Sequence, residues 1–227
     1  MRIMQCWDDG DVDDILLIEI LKKHGAKATF NINPGVLGGD RRLGHTFKGE
    51  YPVYKLTLDE MPQVYDGFCI GGHTMTHPAL DVIDASRAFS ELVDCKKYIE
   101  QHFNQAECGM AYPGGAYNDA VKKLVRQAGY LYSRTTKNVN KLNVEDPMAL
   151  HTNCHFLAPN FWDVFEAVKA VDGDFYFWGH TFELMGDDAR WKKLDSMIGR
   201  LTDDSSTEWI DVKDMFLLAD CSILDVN

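Results

Sequence analysis

His73 and His77 stand four residues apart in the run Gly72-His73-Thr74-Met75-Thr76-His77. On a helical turn, side chains at i and i+4 share a face, so two imidazoles at this spacing can hold one cation. Such a pair also occurs among ordinary histidines, so a metal reading needs a third ligand. Trp7-Asp8-Asp9-Gly10 offers two carboxylates, although an acidic turn with an aspartate N-cap would read the same way. One carboxylate with two histidines is a catalytic ligand set that leaves positions open for water and substrate. Consecutive residues leaving a strand point in different directions, so one aspartate can ligate while the other reaches the water. His180 closes the aromatic run Phe175-Tyr176-Phe177-Trp178-Gly179 and is the candidate acid, because imidazole exchanges protons near neutral pH.

These groups need strand ends to carry them. Met1–Trp7, Ala28–Ile32, Gly67–Ile70, Met110–Tyr112, Tyr130–Thr135, His151–Phe156 and Asp174–Trp178 read as strands, with a last short one at Trp209–Val212. Asp11–His24, Ser86–His102, Asn118–Gln127, Phe161–Val171 and Trp191–Leu201 read as helices, with a short one at Leu58–Tyr65. Residues 36–57, carrying Gly38, Gly39, Gly44 and Gly49, read as a loop insertion. Strands alternating with helices argue for an α/β fold with parallel strands, whose sites form at the C-terminal strand ends. Asp8–Asp9, His73, Pro113–Gly114–Gly115, Arg134 and His180 each follow such a run.

The 227 residues, 45% hydrophobic and 26% charged, suit a globular chain and exclude a largely disordered one, and a single domain over 1–227 is expected. A net charge of −12 repels phosphates, which disfavours a general nucleic-acid role. The longest apolar runs, such as Ile15–Ile18, fall far below the roughly 20 residues of a membrane span. No basic-then-apolar leader follows Met1, so a cytoplasmic location is expected. Cys6, Cys69, Cys95, Cys108, Cys154 and Cys221 form no C-x-x-C pair and are expected as buried thiols.

In order, Trp7-Asp8-Asp9-Gly10, Gly72-His73 through His77-Pro78, Ala111-Tyr112-Pro113-Gly114-Gly115 and Phe177-Trp178-Gly179-His180 resemble the polysaccharide deacetylase family, carbohydrate esterase family 4. The resemblance implies a distorted (β/α) barrel of about seven parallel strands. It implies a metal-dependent hydrolase removing N- or O-acetyl groups from a carbohydrate or other small acetylated substrate. Asp8 would be the base. Asp9, His73 and His77 would hold one divalent ion, zinc first, with cobalt, nickel or iron as alternatives. The Gly114 N–H would help hold the oxyanion beside Tyr112, Phe177 would wall the acetyl pocket, and His180 would be the acid. Two other readings stay open: the same architecture acting on another small amide (a deformylase or cyclic ureide hydrolase), or an inactive carbohydrate-binding homologue. The five intact ionisable groups argue against the latter.

The family's third motif begins with an arginine that pairs with the base, and here Ala111 holds that place. The family's aspartate-and-tryptophan motif has no match in 131–146. Arg134, at the next strand end, is expected to supply the guanidinium. His151 and His155, on a strand-like stretch, are not expected to share a metal, and His155 is a candidate pocket-lining residue. Arg134→Ala should therefore lower turnover strongly with metal content unchanged, measured by acetate release beside elemental analysis.

Overall fold

A computed structural model describes residues 1–221, with side chains through 217. Its strands are β1 (Arg2–Asp8), β2 (Thr29–Ile32), β3 (Leu43–Phe47), β4 (Tyr51–Tyr54), β5 (Cys69–Gly72), β6 (Met110–Ala111), β7 (Ser133–Asn138), β8 (Leu150–Thr152), β9 (Cys154–His155), β10 (Phe175–Gly179) and β11 (Glu208–Trp209). Its helices are α1 (Asp14–His24), α2 (Met61–Val64), α3 (Ala85–Phe103), α4 (Asp119–Gln127), α5 (Phe161–Lys169), α6 (Asp188–Asp203) and α7 (Asp214–Cys221). Local chemistry sets the helix ends. Asp84 and Asn118 accept backbone N–H bonds at the starts of α3 and α4, and left-handed Gly25 closes α1.

Eight parallel strands run β8-β7-β6-β5-β2-β1-β10-β9 and nearly close on themselves, while β11 adds to the start of β1. The two ends of this order are one piece of chain, since only Asn153 separates β8 from β9. Counted as one bent stave, Leu150–His155 makes the ring seven-fold, as the family resemblance implies.

Alternation along each stave separates two buried layers. Ile3, Trp7, Phe30, Ile70, Phe175 and Phe177 pack outward with the helices. Met4, Cys6, Tyr132, Leu150 and Tyr176 pack inside, with Val212 and Met215. The inward parity of β1 continues to Asp8, that of β2 includes Asn31, that of β7 reaches Arg134, and that of β10 runs on to His180. The same two-residue rhythm that fills the barrel therefore aims the polar residues into its mouth.

The insertion at 36–57 departs from the expected loop. It contains an antiparallel hairpin, β3 with β4, whose short and mostly exposed strands show little apolar alternation. Cys6, Cys69, Cys95, Cys108 and Cys154 are buried free thiols, as expected, and the side chain of Cys221 lies outside the described residues. No helix among the described residues is long and apolar enough to cross a membrane.

Asn153 is the seam. Its N–H donates to Tyr176 O at 2.8 Å, its Oδ1 accepts from Tyr176 N–H at 2.7 Å, and its Nδ2 donates to Val139 O at 2.9 Å. Asn153→Ala strands buried backbone groups of β10 and of the β7–β8 connection, so stability should fall by about 2–4 kcal/mol in urea unfolding.

Candidate active site

Asp8 is buried at the barrel mouth. Asn31 Nδ2 donates to its Oδ1 at 2.8 Å, and Arg134 Nη2 donates to its Oδ2. A Cβ at position 71 would strike Asn31 Oδ1, so Gly71 makes room for this contact. Burial would raise the Asp8 carboxyl, but the charges of Arg134, His73 and His180 and the Asn31 hydrogen bond overcome it and hold Asp8 well below the usual carboxylate range. The Arg134 guanidinium lies 4.5 Å over the Trp178 ring.

Beyond Asp8 the chain turns sharply. Asp9 has φ +86° and Gly10 φ +68°, which swings the second carboxylate away from the first. Asp9 Oδ1 lies 3.7 Å from His73 Nε2 and 3.7 Å from His77 Nε2. One ligand atom from each of the three residues falls within 4.8 Å of the others. Ligand bonds of about 2.0–2.2 Å put neighbouring donors roughly 3–3.5 Å apart, so a small contraction fits the trio to a divalent ion. His73 Nδ1 donates to Ala111 O at 2.7 Å, which leaves Nε2 bare toward Asp9. Burial pushes His73 down to about 4, the neutral form that ligates. His77 is partly exposed and opens the trio to solvent.

The geometry of the histidine pair corrects the helical-turn expectation. Residues 73–77 form an irregular loop in which Thr74 and His77 are left-handed, with φ +65° and +60°. Side chains hold it: Glu91 accepts from Thr76 N–H at 2.7 Å and from its hydroxyl at 2.5 Å, and Asn33 Nδ2 donates to the carbonyls of His73 and Thr74. The imidazoles converge through this bracing rather than through helical spacing.

His180 stands across the mouth, its Nε2 3.8 Å from Asp8 Oδ2. Glu183, three residues on, accepts from the His180 N–H at 3.1 Å and lies 3.2 Å from Nδ1. His155 Nε2 reaches the same Glu183 oxygen at 3.0 Å, and His155 Nδ1 accepts from Leu157 N–H at 3.2 Å. Burial would lower the His180 pKa, but the Glu183 bond and the charges of Asp8, Asp9 and Glu183 raise it instead. Glu183 itself is held down to about 2 by His155 and His180 against its own burial. Sequence reasoning missed Glu183, Asn31 and Trp178. A glutamate three residues after His180 and a lone asparagine within an apolar strand were the available signals.

Two expected positions are corrected. Phe177 faces outward against Phe161 and Phe175 and is fully buried, so it cannot wall a pocket at the mouth. Strand alternation gives the inward place to Trp178, which edges His180 with ring centres 5.5 Å apart. Tyr112 is buried, donates its hydroxyl to Met148 O at 2.7 Å and stacks on Tyr117, while its N–H is taken by Arg134 O. It braces the turn instead of meeting substrate. Gly114 sits in that turn at φ +60°, with open space where a Cβ would be. His151 pairs with Thr135 and takes no part in the trio.

A sequence model described as polysaccharide deacetylase matches residues 1–133. The chain belongs to the polysaccharide deacetylase family. It is 28% identical over 151 residues to YxkH of Bacillus subtilis, covering 66% of this chain and 50% of that protein. It therefore spans half the length of that relative. The Streptococcus pyogenes deacetylase PplD in complex with acetate superposes with TM-score 0.55 at 27% identity, over 65% of this chain and 62% of that one. The Xyl-CE4 domain of a multidomain xylanase from the hindgut metagenome of Trinervitermes trinervoides shares the fold across nearly the whole length, with TM-score 0.64, 16% identity, and coverage of 96% and 91%.

Because Glu183 raises His180, the protonated imidazole persists to higher pH than an isolated one. Glu183→Gln should move the basic limb of kcat/KM to lower pH, read from a full pH–rate profile.

Proposed function

We propose that this deacetylase-family chain hydrolyses the acetyl group of an acetylated carbohydrate, with a divalent cation held by Asp9, His73 and His77. The observation that carries the reading is the meeting of this trio with Asp8 and His180 at one barrel mouth. The N,N,O donor set suits zinc and also accepts cobalt, nickel or iron. When bound, such an ion acidifies water and polarises the acetyl carbonyl.

The protein's own groups supply the rest. Asp8, kept ionised and oriented by Asn31 and Arg134, takes the proton of the attacking water. The Gly114 N–H donates to the oxygen that becomes negative as the carbonyl turns tetrahedral. Trp178 borders the space for the methyl group. His180, with Nδ1 held toward Glu183, directs Nε2 into the mouth and protonates the departing nitrogen or oxygen. These residues lie on the staves of one barrel or just beyond their C-terminal ends.

Chitin oligosaccharides and acetylated xylan serve as test substrates. Acetate release should vanish on exhaustive chelation and return with added zinc, and release that survives chelation overturns the mechanism. Asp8→Asn should lower kcat by about 10²–10⁴-fold in the same assay.

A further inference from the structure

The hairpin insertion reaches the site through Lys55, which directly follows β4. The side chain is buried, and its Nζ donates to the carbonyl oxygen of Asp9 at 3.2 Å and to Asp11 Oδ1 at 2.6 Å. Asp11 Oδ2 is also buried and has no partner among the described residues, so the Asp11 carboxylate is directed at this ammonium alone. Gly44 of β3 lets the stem pass, because a Cβ there would come within 2.8 Å of Lys55 Cε.

The segment that Lys55 grips is the one whose backbone most needs holding. Asp9 occupies a left-handed conformation that residues with a Cβ rarely adopt, and such conformations persist only where the surroundings over-determine them. Here the surroundings are visible on both sides. Asp9 N–H donates to Asn31 O at 3.0 Å, Leu56 N–H donates to Gly10 O at 3.0 Å, and Val12 N–H donates to Tyr54 O at 2.8 Å. Without the ammonium the carbonyl of Asp9 loses its side-chain donor. Rotating it away would swing the Asp9 carboxylate off His73 and His77.

We propose that Lys55 is a positioning residue for the ligand Asp9, so that the hairpin is a working part of the cation site rather than a surface insertion. This rests on the reading of Asp9, His73 and His77 as that site. The polar contacts of its ammonium are to the Asp9 carbonyl and the Asp11 carboxylate. It preorganises the ligand by fixing the backbone on which the carboxylate hangs.

The test is zinc affinity of the metal-free full chain, titrated against a chromogenic chelator at fixed pH, with urea unfolding of the same metal-free samples. Lys55→Met should weaken zinc binding about 10–100-fold, the range seen when groups that orient metal ligands are removed. Lys55→Met with Asp11→Asn removes both charges and leaves no buried ion unpaired. That double variant should keep the wild-type unfolding midpoint and still bind zinc more weakly. Wild-type affinity in either folded variant overturns the role of Lys55. Failure of the unaltered chain to bind zinc overturns the cation site itself, a separate result.

Discussion

Arg134 and Asp8 form a guanidinium–carboxylate pair with both side chains almost wholly out of water. Desolvating two ions is expensive, and their attraction offsets that only where the geometry is tight and the remaining valences are answered. Asn31 answers one Asp8 oxygen and the Trp178 face covers the guanidinium, while Arg134 Nε and Nη1 have no partner among the described residues. A pair so incompletely compensated is a poor device for stability. It is a good device for keeping a carboxylate ionised in a dry place. The barrel exists around it: apolar side chains fill the lower interior, and the inward rhythm of each stave delivers polar groups only at the top.

The Asp9–His73–His77 trio is built by a different means. Asp9, Thr74 and His77 are three of the left-handed non-glycine residues among the described ones, and these three lie in the two segments that carry the trio. Regular strands cannot bring three side chains from two staves to one point, so the chain leaves regular geometry at each strand end. Glu91, Asn33 and Lys55 then hold the irregular backbone through side-chain bonds, and the Asn31 carbonyl accepts from the Asp9 N–H. Precision here comes from polar bracing on loops, not from secondary structure.

Much of this was legible in the residues. Strand and helix alternation, the polar strand ends and the order of the motifs led to the barrel and to Asp8, Asp9, His73, His77, Arg134 and His180. Three things were not legible, each for a physical reason. The β3–β4 hairpin carries short, mostly exposed strands with little apolar alternation to reveal them. The bracing residues Glu91 and Lys55 act across space, and nothing in their local sequence points to their partners. Phe177 was assigned to the mouth although Trp178 shares the facing of His180. A one-residue shift on a strand exchanges barrel interior for outer layer.

The pairing of Ala111 with Arg134 across β6 and β7 makes two distant sequence positions into one location. A guanidinium sent from either stave arrives beside the same carboxylate. Divergence can therefore hand this cation from one strand to its neighbour while the chemistry stays put. A motif that looks broken when read along the chain is intact when read across the sheet.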